Sequence, residues 1–153
     1  MADFAIITAR VATGAAVTSA ADVQQLLAAG VTHILDVTSD EDDTQWLSGF
    51  GVPYLYNPTP DDGAQKPASW WQASLAFAAG ASGTLGTCVY AHCSAGVNRG
   101  PSTAYAILRA CAGLDATLAR ELIVAVRPQV GLAYAGQFDA WWATANPGKA
   151  LAP

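Results

Sequence analysis

The apolar positions of the chain fall into short blocks and longer helical stripes that alternate along its length. Residues 4–7 (Phe-Ala-Ile-Ile) predict a short strand. Ser19-Ala-Ala-Asp22 resembles a capping box and opens a helix that ends at Gly30. Val31 to Val37 reads as a buried strand, and the acidic run Asp40 to Asp43 opens a short, solvated helix around Trp46. Val52 to Tyr56 is a further strand, and Asn57 to Lys66, rich in Pro, Asp and Gly, is a loop. Pro67 suits the first turn of a helix reaching Ala79. Thr87 to His92 is a short apolar strand. Pro101 opens a helix to Ala112, Asp115 caps another that ends before Pro128, and Tyr134 to Ala145 forms the last. Strands alternating with helices predict an α/β domain: a central, mostly parallel sheet flanked by helices.

Composition narrows this picture. Hydrophobic residues make up 52% and charged residues 12%, as in a globular chain. The 153 residues suit one domain over 1–153. A formal net charge of −5 argues against general affinity for nucleic acid or an anionic membrane, so any anion must be caught by a local site. Residues 1–20 lack the pattern of a secretory signal. Cys88, Cys93 and Cys111 do not form a disulfide framework; Cys88 and Cys93 would lie about 16 Å apart on one strand. A reduced, cytoplasmic protein is expected. Cys88 and Cys111 read as core residues, as do the aromatic residues Tyr134, Phe138, Trp141 and Trp142 at helical spacing.

The chemistry concentrates in Val89-Tyr-Ala-His-Cys-Ser-Ala-Gly-Val-Asn-Arg-Gly-Pro-Ser102. A loop from a strand end to a helix start gathers backbone N–H groups that bind anions. Gly96 lets the chain bend closely around a ligand. Arg99 offers a planar fork for two phosphate oxygens. Cys93 opens the loop facing the same centre, and a cysteine beside an arginine and a helix N-terminus is the reactive kind. The loop holds no acid. Asp61 and Asp62 lie in the loop 57–66, Asp61 being 32 residues before Cys93, and either is a candidate to protonate a leaving oxygen. Lys66 and Arg127 are candidate substrate-side charges or, equally, plain surface charges. No metal and no cofactor is implied.

His92-Cys93-x-x-x-x-x-Arg99 resembles the signature of the protein tyrosine phosphatase superfamily, and Ala95-Gly96 in a short chain resembles its dual-specificity branch. Ala28 to Val37, Arg99-Gly-Pro-Ser102 and Val126-Arg-Pro128 are similar to further segments of that family. The resemblance implies a dual-specificity-phosphatase-like fold and a phosphatase acting through a phosphocysteine. It makes Cys93 the nucleophile and Arg99 the phosphate clamp, with Ser94, Ala95, Gly96, Val97 and Asn98 giving loop amides. His92 would brace the loop, and Asp61 would be the general acid, with Asp62 one register step away. A phosphorylated protein or a small phosphate monoester is the expected partner. The family usually carries Ser or Thr after the arginine, where this chain has Gly100; Ser102 is not expected to replace that hydroxyl. The departure keeps a phosphate-binding module without turnover, and a glucan phosphatase, as alternatives.

Overall fold

The computed structural model describes residues 1–146. The expected domain over 1–153 therefore includes residues 147–153, which lie outside the described residues. Among the described residues, five strands form one sheet: β1 (Phe4–Thr8), β2 (Val11–Gly14), β3 (His33–Asp36), β4 (Tyr54–Tyr56) and β5 (Val89–His92). Their order is β1-β2-β5-β3-β4. Only the β1–β2 pair is antiparallel, so the sheet is mostly parallel, as the alternation of elements predicts. The hairpin strand β2 has no counterpart in the sequence reading. Its four residues include Ala12 and Gly14, too short and too small-sided for an apolar run to mark it.

Helices cover both faces. α3 (Ala68–Ser82), α4 (Arg99–Ala110), α5 (Ala116–Val126) and α6 (Ala135–Ala145) pack on one; α1 (Ala20–Ala28) and the short α2 (Thr44–Leu47) pack on the other. The period-2 alternation of a strand divides β5 between the two cores. Val89, Ala91 and the following Cys93 join the larger cluster, whereas Cys88 and Tyr90 join the smaller. Ser19 caps α1 by accepting from the Asp22 N–H at 3.1 Å, and Asp115 caps α5 by accepting from the Leu118 N–H at 2.8 Å.

Three expectations need correction. α3 runs on to Ser82, because Ala and Ser keep a helix going where no Pro stops it. α4 ends at Ala110 rather than Ala112, with Cys111 as its cap; it begins at Arg99, where the loop ends, and Pro101 sits in its first turn, where the missing N–H costs nothing. Cys111 is exposed, because it caps α4 instead of lying on its buried face; Cys88 is buried as expected. Among the described residues, no helix is long and apolar enough to cross a membrane.

The strand register sets one row of residues across the C-terminal ends of the parallel strands: Gly14 beside His92, His92 beside Asp36, and Asp36 beside Tyr56. In open parallel sheets this is the edge where ligands bind.

Candidate active site

β5 ends at His92 in the middle of the sheet, and the chain from Cys93 to Asn98 leads into α4. Its carbonyl oxygens are held from outside. Ser94 O accepts from Ala16 N–H at 3.1 Å, and Val97 O from Gly131 N–H at 2.9 Å. Arg127 donates from Nε to Gly96 O at 2.7 Å and from Nη2 to Ala95 O at 3.1 Å. Among the described residues, the amide N–H groups of Ser94 to Asn98 donate to no carbonyl. Outward carbonyls and uncommitted amides are the anatomy of an anion-binding loop. Gly96 makes the bend with φ of 68°, and a Cβ there would lie 2.5 Å from the Gly14 carbonyl carbon and from Arg127 Nη2. Only glycine meets both demands.

Cys93 lies on the floor of this loop, 2% exposed, its N–H donating to Gly14 O at 3.3 Å. Arg99 is 6% exposed. Its Nη1 donates to Thr59 O at 2.9 Å and to Ser39 Oγ at 3.4 Å, and its Nη2 to Ser94 Oγ at 3.2 Å. Its Nε is buried and has no hydrogen-bond partner among the described residues. An unpaired buried N–H of a guanidinium is costly, which makes this edge of Arg99 ready for an anionic oxygen.

His92 is fully buried and stacks on Tyr90. Its Nε2 bonds Asp43 Oδ2 at 2.5 Å, with Asp36 Oδ1 3.9 Å away. Burial alone would push the imidazole down, but the Asp43 carboxylate bonded to it, with Asp36 behind, holds it above its ordinary value. The imidazolium so favoured donates from Nδ1 to the Cys93 carbonyl oxygen at 3.4 Å. Asp36 is pushed up by burial, opposed by His92 and reinforced by Asp43. Asp36, Asp43 and His92 offer ligand atoms within 4.8 Å of one another. The direct bond between His92 and Asp43 makes the cluster a buried ion pair that supports the loop from below.

The loop 57–66 reaches the site through Thr59, whose carbonyl Arg99 holds. Asn57 and Trp70 tie its start to α3 by two bonds of 2.9 Å each, Asn57 Nδ2 to Trp70 O and Trp70 Nε1 to Asn57 O. Asp61 is exposed, and its Oδ1 accepts from the Tyr134 hydroxyl at 2.8 Å. That hydroxyl in turn accepts from Gly63 N–H at 2.9 Å. Asp62 is differently placed. It accepts from Ala64 N–H at 3.0 Å and from Lys66 Nζ at 3.4 Å. These bonds, the backbone one foremost, hold its carboxyl below the usual carboxylate range.

Lys66 and Arg127 do not face a substrate. Lys66 is buried, lies over the Tyr134 ring and donates to Pro60 O and Asp62. Arg127 is buried between the loop carbonyls and the Asp3 carboxylate, 2.8 Å from Nη1. Asp43, expected on a solvated helix start, is buried because His92 needs a counter-charge there. Trp71 is buried against Phe138. Tyr134 is core, as its spacing predicts, yet its hydroxyl reaches Asp61. The sequence signal for these contacts is slight. A buried-strand histidine and a late Arg-Pro each announce a needed partner, but not which residue supplies it.

Gly100 packs so tightly that a Cβ would lie 2.8 Å from Cys93 N and 2.9 Å from His92 Cα. Ser102 is buried in α4, its Oγ accepting from Tyr134 N–H at 3.2 Å.

No family model and no curated protein matches the chain. Solved structures do. A mouse putative dual-specificity phosphatase complexed with zinc tungstate is similar with a TM-score of 0.78 and 21% identity, over 97% of this chain and 91% of that one. PTPMT1 in complex with PI(5)P is similar with a TM-score of 0.73 and 21% identity, over 88% of this chain and 93% of that one. Human tyrosine phosphatase-like serine/threonine/tyrosine-interacting protein is similar with a TM-score of 0.76 and 16% identity, over 95% and 99%. The chain thus has the fold of the dual-specificity branch of the protein tyrosine phosphatase superfamily.

Proposed function

We propose that the chain is a cysteine-dependent phosphatase that hydrolyses phosphate monoesters. The observation that carries this reading is that one loop holds both the buried Cys93 and Arg99, whose buried Nε has no partner among the described residues. In the first step the Cys93 thiolate attacks phosphorus, an S–P bond forms and the ester P–O bond breaks. The loop amides and Arg99 hold the equatorial oxygens as charge builds on them. Asp61 gives its proton to the departing oxygen. In the second step Asp61 takes a proton from water, the water oxygen bonds to phosphorus, the S–P bond breaks and inorganic phosphate leaves. Asp61 suits this role better than Asp62, whose bonds to Ala64 and Lys66 favour its ionised form. His92 keeps the loop in shape through the Cys93 carbonyl. Phosphotyrosine, and phosphoserine or phosphothreonine, are the proposed substrates in a reducing, cytoplasmic setting.

Steady-state hydrolysis of para-nitrophenyl phosphate without added metal tests the reading. Sustained turnover in the wild type and none in Cys93→Ser is the expected result. Gly100 favours a second reading, a binding module that stalls as the phosphoenzyme, because no hydroxyl follows Arg99. A single burst of para-nitrophenol, equal to the enzyme present and followed by no turnover, would establish that reading instead.

A further inference from the structure

Three loops meet at the Arg99 guanidinium: 38–43 through Ser39, 57–66 through Thr59, and 93–99 through Ser94. They form the rim over which a phosphate carrier must lie. The first brings the exposed side chains of Asp40, Glu41 and Asp42 directly after Ser39. The second brings Asp61 and Asp62, also exposed. Asp42 accepts from Thr44 N–H at 2.7 Å and from the Thr44 hydroxyl, bonds that stabilise its ionised form. Of these five acids, only Asp62 has a lysine or arginine beside it among the described residues, Lys66 at 3.4 Å.

The cations of the described residues are engaged elsewhere. Arg10 sits at the other end of β2 and donates to Ser82 O at 2.8 Å. Arg109 pairs with Asp139 at 3.0 Å, Arg120 lies over the Tyr105 ring, and Arg127 pairs with Asp3. Arg99 itself is taken up by the phosphate it would hold. Around one strongly cationic point the rim is acidic. A second phosphate, or acidic groups beside the first, would meet uncompensated like charge there, whereas cationic groups would meet complementary charge.

From this distribution, and resting on the phosphatase reading above, we infer that the substrate is a phosphorylated peptide segment with lysine or arginine flanking the phosphoresidue. Polyphosphorylated headgroups and acidic phosphopeptides are selected against by the 38–43 loop.

Binding and turnover test this separately. Two phosphotyrosine peptides are compared, identical except for Lys or Glu at the flanking positions, together with inositol phosphates. Affinity is measured on Cys93→Ser, which needs no turnover, and kcat/KM on the wild type. The basic peptide is expected to bind about tenfold or more tightly at low salt, the gap narrowing at high salt as the rim is screened. The double variant Asp40→Lys/Glu41→Lys should abolish or invert the preference while leaving para-nitrophenyl phosphate hydrolysis unchanged. Equal affinities, tighter binding of the acidic peptide or of an inositol phosphate, or no binding of either peptide would overturn the inference. A preference that the double variant retains would overturn the role of the 38–43 loop. Turnover of para-nitrophenyl phosphate decides the phosphatase reading by itself, so failure of one proposal is distinguishable from failure of the other.

Discussion

Arg127 donates from Nε to the carbonyl oxygen of Gly96 at 2.7 Å, and so reaches the 93–99 loop from 31 residues further along the chain. The same guanidinium holds Ala95 O and the Asp3 carboxylate, tying the loop to α5 and to the start of the chain. It holds the loop carbonyls outward, on the side away from the uncommitted amides. Arg127→Met is expected to lower stability by about 1–3 kcal/mol, the cost of a buried carbonyl left unpaired. It should also weaken phosphate or vanadate binding well beyond what Asp3→Asn does. Thermal melts and inhibitor titration check both.

Tyr134 and Asp61 form the second cross-link. Removing only the hydroxyl in Tyr134→Phe frees Asp61 from its 2.8 Å bond and Gly63 N–H from its acceptor. The variant should lose rate on phenyl phosphate, a poor leaving group, with little change on para-nitrophenyl phosphate and none in KM. Asp61→Asn should show the same pattern more strongly, by 10²-fold or more. If Asp62→Asn shows it instead, the acid is the neighbouring residue.

The His92–Asp43 pair predicts a pH dependence. His92 is raised above 6.5 in the folded state, so it contributes stability that is fully present below 6.5 and lost as pH climbs through the raised value. Asp36, raised by burial from 3.8, works in the same direction in a lower window: its protonated form is favoured in the folded state, and stability is lost as pH rises from 3.8. Asp36, 3.9 Å from His92, the Tyr54 hydroxyl that donates to Asp36 at 3.0 Å, and the Tyr90 ring stacked on His92 are the groups that face this pair. Thermal melts of the wild type should fall with rising pH above 6.5. In His92→Gln that slope should vanish, at a cost of about 3–5 kcal/mol for the unpaired carboxylate.

Gly100 invites repair, and the packing predicts that repair fails. A serine Cβ would press on the backbone of His92 and Cys93 at 2.8–2.9 Å. Gly100→Ser is expected to destabilise the fold by about 1–3 kcal/mol and to leave breakdown of the phosphoenzyme no faster. Single-turnover release of phosphate, alongside a thermal melt, measures both.

The elements and their order follow from local patterns. Ser19 and Asp115 cap helices because their short oxygens reach the N–H groups three residues on, and such signals read directly from the chain. The run from Val89 to Ser102 is equally local: strand, turn glycine and helix start are contiguous, so Cys93 and Arg99 are placed together by seven successive residues. The weak strand β2 and the partnerships of Asp3, Asp43, Thr59 and Tyr134 are of another kind. Each spans from 40 to 124 residues of chain and depends on which strand lies beside which. A lysine or aspartate in a polar loop looks the same whether it meets solvent, as Asp40 does, or a buried partner, as Lys66 and Asp43 do. Burial settles that difference, because a charge removed from water must find its counterpart, and only the packed chain brings the counterpart within reach.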